Sequence, residues 1–261
     1  LDAKTKTSAI QFFTTLVETS QSVVSSSSTV SAIDDEVIAL FGKAVNNLAI
    51  ASFSSESSTT ISTTGQQQNE YQLMNTAVDT LATAMTLNRV PNENSLTVVE
   101  PAISVSATRK TADTISQYTV YVPSFDKSLP VSSITIPKSI SFNNTNKPMI
   151  IDLHAVLFSS SVANPFAWSS SSANMSSTAI SFTIRNDAGA VVNNAIITDP
   201  VELKIAGTFI PSKSTSSIPI LNSTFAASDC ITEPSLVPSC QSWNYLDNNW
   251  KKKGFGRVWV W

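Results

Sequence analysis

Hydrophobic positions recur along the first third of the chain at three- and four-residue steps, the repeat of a single helix face. Ile10, Phe13, Leu16, Val17 and Val24 form a first stripe, broken by four serines at 25–28. Ile33, Val37, Leu40, Phe41, Ala44 and Leu48 form a second. Ser31, three residues before Asp34, supplies a helix-start signal, with acid in the first turn. The stretch 54–68 is polar and of low complexity and reads as a loop. Tyr71, Met74, Val78, Leu81 and Met85 make a third stripe. Three helices with one apolar face each predict a layer that packs on itself or onto a neighbouring sheet.

Near Pro91 the period changes from helical to two. "SLTVV", "AISVSA", "ISQYTVYV", "SSITI", "MIIDLHAVLF", "TAISFTIR", "NAIITD" and "VELKIAG" are short and β-branched, and Pro, Asn, Asp, Gly or Ser separates them. "RNDAGAVV" reads as strand, turn on Asn186–Gly189, strand. So many short strands predict an antiparallel sandwich. The expected fold class is α+β: an N-terminal helical subdomain at 1–90, then an antiparallel β-sandwich at 91–261.

Composition narrows the function classes. Apolar residues make up 42% of the chain, enough for a core, while charged residues are only 13%, about half the usual share. Serine and threonine, roughly a quarter of the chain, take their place. A hydroxyl-rich surface suits an extracellular or glycosylated protein. A net charge of -3 offers no basic field to gather phosphates, which argues against nucleic acid as a partner. No run of about 18 apolar residues occurs, so no membrane span is expected within the chain. The N-terminal "LDAKTKTSAIQFF" lacks the basic start and apolar stretch of a signal peptide and reads as the start of a mature segment or of a fragment.

Candidate chemistry is sparse. The single histidine, His154, shares a strand face with Asp152, Val156 and Phe158, so a dyad with a serine can be drawn. The plainer reading is a polar pair on the wetter face of the strand, and no GxSxG accompanies it. "IDDE" at 33–36 has carboxylates but not the spacing of a calcium loop, and favours a helix N-terminus instead. His and Cys are too few for a zinc site, so neither a metal nor a cofactor is expected. "KKK" at 251–253 reads as a solvated loop. Asn143, Asn174 and Asn222 begin glycosylation sequons, no more than chance supplies in so Ser/Thr-rich a chain. Cys230 and Cys240 lie ten residues apart in a loop-like stretch; they either close a small disulfide loop or stand as separate thiols, one with a partner outside these residues.

The densest cluster, "CQSWNYLDNNWKKKGFG", lies near the C-terminus. Cys240, Trp243, Trp250 and Gly254 resemble the first half of the GPS motif, which closes the GAIN domain of adhesion receptors and polycystin-like proteins. "ANPFAWSS" and "STAISFTIRNDAGAVVNNAIITDPVELKI" are similar to the strands before that motif in the polycystin-like branch. The order of helical piece and sandwich is also that of a GAIN domain. The resemblance implies that the tryptophans fill space between the sandwich edge and its loops, and that the cysteine staples the entry to the last strands. It departs where self-cleavage would occur: Phe255 stands in place of a second cysteine, and no Cys-x-Cys or His-Leu-Thr follows. The counterpart of Cys240 pairs in the family with a cysteine missing here, leaving Cys230 as the partner on offer.

What the resemblance implies is a non-catalytic, extracellular GAIN-like module of a polycystin-like or adhesion-type surface protein, acting as a structural and mechanical link. Its expected partners are other extracellular domains, copies of itself, or glycans, with any membrane anchor beyond Trp261. Two alternatives stand beside it: a subunit of an extracellular filament, for instance on a ciliary surface, and an autoproteolytic domain whose cleavage segment lies outside these residues.

Overall fold

A helical layer covers one face of a four-stranded antiparallel sheet, and a second sheet covers the other. The computed structural model describes residues 3–24, 33–53, 64–87, 89–142, 150–159, 162–164, 178–187, 189–192, 195–196, 199, 201–205, 241–244 and 249–252. The helices are α1 (Ala3–Val24), α2 (Asp35–Phe53) and α3 (Thr64–Thr86). The strands β1 (Leu96–Val99), β2 (Ile103–Thr111), β6 (Ile150–Phe158) and β7 (Ala179–Asn186) form the central sheet in the order β1-β2-β6-β7. A second sheet pairs β3 (Thr119–Val122), β4 (Ser132–Thr135) and β9 (Glu202–Lys204), and β5 (Ser141–Phe142) pairs with β8 (Ala195–Ile196). The fold is α+β, helices first and antiparallel sheets after them.

Strand alternation sends β6 into two cores at once. Ile151, Leu153, Ala155 and Leu157 pack against Val120, Val122 and Ile134 of the second sheet and Ile136 just past β4, which makes the sandwich. Val156 and Phe158 join Ile103, Val105 and Ala107 of β2 against the helices. That second core reaches from Ile10 of α1 to Phe158, on both sides of residue 90. The long, nearly unbroken apolar reading of β6 follows, because a strand covered on both faces has no wet side.

The third helical stripe is buried in full, with Leu81 and Ala82 completely sealed. The second is rotated from the sequence expectation. Val37 and Leu40 face solvent at 42% and 65% exposure, and the buried face is Ile38, Phe41, Val45, Leu48 and Ala49. Phe41 and Leu48 belong to both readings; the packing of α2 on β1 and α3 decides which neighbours join them. Gly42 lies on this face and lets α2 approach Val98 of β1 closely. The helix starts three residues later than expected. Asp34 caps it, its Oδ1 accepting from the Glu36 N–H at 2.7 Å, while Ser31 lies outside the described residues.

By length and composition α2 would suffice to cross a membrane. Here its apolar face lies in the protein core, and Asn46, also buried, accepts the Ala102 N–H at 2.8 Å. Strand β3 is shorter than "ISQYTVYV" suggests: a 3-10 turn at Ala112–Thr114 and a positive φ of 60° at Gln117 delay it to Thr119. The expected turn after β7 is present, with Gly189 at φ 77° and the Asn186 side chain accepting the Ala190 N–H.

Candidate functional site between helix and sheet

The face of β6 that carries Asp152 and His154 is not the wetter one. It lies under α3, with Asp152 5% and His154 3% exposed. The same alternation that puts Val156 and Phe158 into the helix-facing core puts these two there as well.

Register then builds a polar row across three strands. Asp152 stands opposite Arg109 of β2 on one side and Arg185 of β7 on the other. Arg109 donates from Nε to Oδ1 at 2.8 Å and from Nη2 to Oδ2 at 3.1 Å, a two-pronged pair with both side chains largely buried. Arg185 turns toward α3, where its Nη2 meets Asp79 Oδ2 at 2.5 Å, and it also donates to the Gly189 carbonyl. The next row holds Ala107, His154 and Thr183. There, His154 Nε2 lies 3.4 Å from Thr86 Oγ1 on α3. Polar contacts thus cross from α3 to the sheet, among them Asp79 to Arg185 and Thr86 to His154.

Electrostatics follow from burial. The Asp152 carboxyl is pushed above its ordinary value by desolvation, against the pull of Arg109 and the Thr86 hydroxyl. Asp79, nearer the rim with a side chain 42% exposed, is also raised by burial, with Arg185 pulling the other way. His154 is lowered to about 3 by desolvation, with Arg185 and Arg109 adding to the effect. The ring is therefore neutral at neutral pH. The Thr86 hydroxyl also lies within reach of the Thr83 carbonyl at 3.2 Å, and among the described residues His154 Nδ1 has no hydrogen-bond partner. Among the described residues the hydrogen-bond partner of His154 is a threonine of α3, so the cluster joins the two layers.

Arg109, Arg185, Asp79 and Thr86 were not singled out in the sequence. A signal existed: Arg109 and Arg185 are the charged residues of β2 and β7 that fall in phase with the helix-facing positions. "IDDE" serves another junction, where Asp35 pairs with Arg89, which also donates to the Ile33 carbonyl at 3.3 Å.

Among the sequence-predicted positions, Trp243 and Trp250 stand directly opposite each other in a two-stranded antiparallel ladder, β10 (Gln241–Asn244) and β11 (Asn249–Lys252). Lys251 and Lys252 belong to β11, not to a loop as expected, because the ladder continues through them to Gln241. Where the two indoles point lies outside the described residues, as do Cys230, Cys240, Gly254, Asn143, Asn174 and Asn222.

No family model matches the chain, and no curated protein matches it. Among solved structures, the full extracellular region of zebrafish Gpr126/Adgrg6 is similar, with a TM-score of 0.51 and 14% identity. The likeness is one of fold. It covers 97% of this chain and 29% of that one, so this chain spans less than a third of that structure's length.

Proposed function

We propose that the chain is a non-catalytic extracellular module of the GAIN type, a structural and mechanical link within an adhesion-type or polycystin-like surface protein. The observation that carries this reading is the central sheet shared by two cores, with the helical layer bound to it by apolar packing and by the Asp79–Arg185 ion pair. A body built that way transmits tension through one unit, whereas a helical piece on a linker would peel away first. The likeness to an extracellular region over nearly the whole chain supports the same reading. Partners would be neighbouring extracellular domains or copies of the chain, with glycans at Asn143, Asn174 and Asn222 and no nucleic acid. Cys240, Trp243, Trp250 and Gly254 would serve as structural residues of the C-terminal ladder, and Cys230 as the disulfide partner of Cys240.

Single-molecule stretching from the two ends tests this. At neutral pH one cooperative unfolding step for helices and central sheet is expected. Release of the helices at low force, well before the sheet, would overturn the reading. Intact-mass measurement after secretion should show one uncut polypeptide.

A further inference from the structure

We propose that the junction between α3 and the central sheet is an acid-operated latch, in which His154 takes up a proton when α3 lifts from the sheet. His154 is the chain's one histidine, sealed beneath α3, and among the described residues Thr86 is its hydrogen-bond partner. Its second nitrogen is buried and unpartnered, so a proton added there would have no acceptor while the latch is shut. The charged groups of the junction come from every packed element: Arg109 of β2 and Arg185 of β7 act on the ring, Asp152 lies two residues away on its own strand, Asp79 of α3 pairs with Arg185, and Asp187 in the turn beyond acts on Asp152. Both arginines are already engaged by carboxylates, so a charged imidazole would face two cations with no free anion beside it. Lifting α3 removes Thr86, admits water and relieves this conflict.

The sign follows from linkage. A histidine lowered to about 3 in the closed state and at its ordinary 6.5 when open binds its proton only in the open state between those values. Closure is therefore complete above pH 6.5 and weakens as pH falls. Between pH 7 and pH 5 the opening equilibrium should rise by roughly 20- to 30-fold from this group alone. Asp79 and Asp152, both pushed up in the closed state, act in the opposite sense, so the effect must be read against a variant that retains them.

The test is amide hydrogen exchange of α3 at pH 7 and pH 5, corrected for intrinsic rates, in the parent chain and in His154→Gln. Gln places a donor where Nε2 stands and cannot titrate. Relative to the variant, the parent should lose about 20- to 30-fold of protection at pH 5. Equal pH dependence in the two proteins would overturn the proposal. A second measurement needs no variant: with one histidine, the ring proton resonance is unambiguous. It should not titrate above pH 4 in the closed protein, and titration near 6.5 with α3 still protected would equally overturn the latch.

Discussion

Arg109 and Asp152 face each other across β2 and β6 and share two hydrogen bonds beneath α3. Asp152 is held by this pair against the cost of its own burial. Removing one member leaves the other charged and buried. Asp152→Leu and Arg109→Leu should each lose about 3–5 kcal/mol in denaturant unfolding. The double substitution should lose clearly less than the sum, because no orphaned charge remains. Additive losses would show that the pair contributes nothing as a unit.

Asn46 is a polar residue in the most apolar part of α2, and its amide oxygen is the acceptor for the Ala102 N–H. Asn46→Leu satisfies the apolar pattern of the helix yet orphans that N–H. A loss of about 1–3 kcal/mol is expected on unfolding by denaturant. A gain in stability would mean that water replaces the acceptor at no cost.

Gly42 sits where a Cβ would collide with the Val98 side chain. Helix propensity favours Gly42→Ala by about 1 kcal/mol, but Val98 is β-branched, stiff and buried, and overpacking costs about 1–3 kcal/mol. A net fall in melting temperature is therefore expected. In a Val98→Ala background the same substitution should raise the melting temperature, and failure of that reversal would place the conflict elsewhere.

The two readings of α2 can be separated by thermal melts. Leu40, 65% exposed, should tolerate Leu40→Ser within about 0.5 kcal/mol. Leu81, fully buried on α3, should lose about 2–5 kcal/mol as Leu81→Ala. Comparable losses at both sites would return Leu40 to the core.

Much of this architecture is written in local pattern. The helical period before Pro91, the period of two after it, and the Asn186–Gly189 turn each follow from residues that are neighbours in sequence, because side-chain direction repeats with backbone geometry. The stripe of α3 was legible to the residue: all five of its members are buried. That of α2 was not. Val37 and Leu40 are as apolar as Ile38 and Val45, and only contact with β1 and α3 distinguishes them.

The polar junction shows the same division. Sequence alternation alone put Asp152 and His154 on one face with Val156 and Phe158; the polar pair read as the wetter side, and only the docking of α3 buries it. Sequence could not say that Arg109 and Arg185 would stand on either side of Asp152, since strand register joins residues 43 and 33 positions away. Nor could it put Asp79 and Thr86 above them, because the docking of a helix on a sheet is fixed by long-range packing. Local periodicity thus determined which elements form and which of their faces seek cover. The tertiary structure decided what covers them, and so turned a lone histidine into a sealed, neutral ring one row from two guanidinium groups.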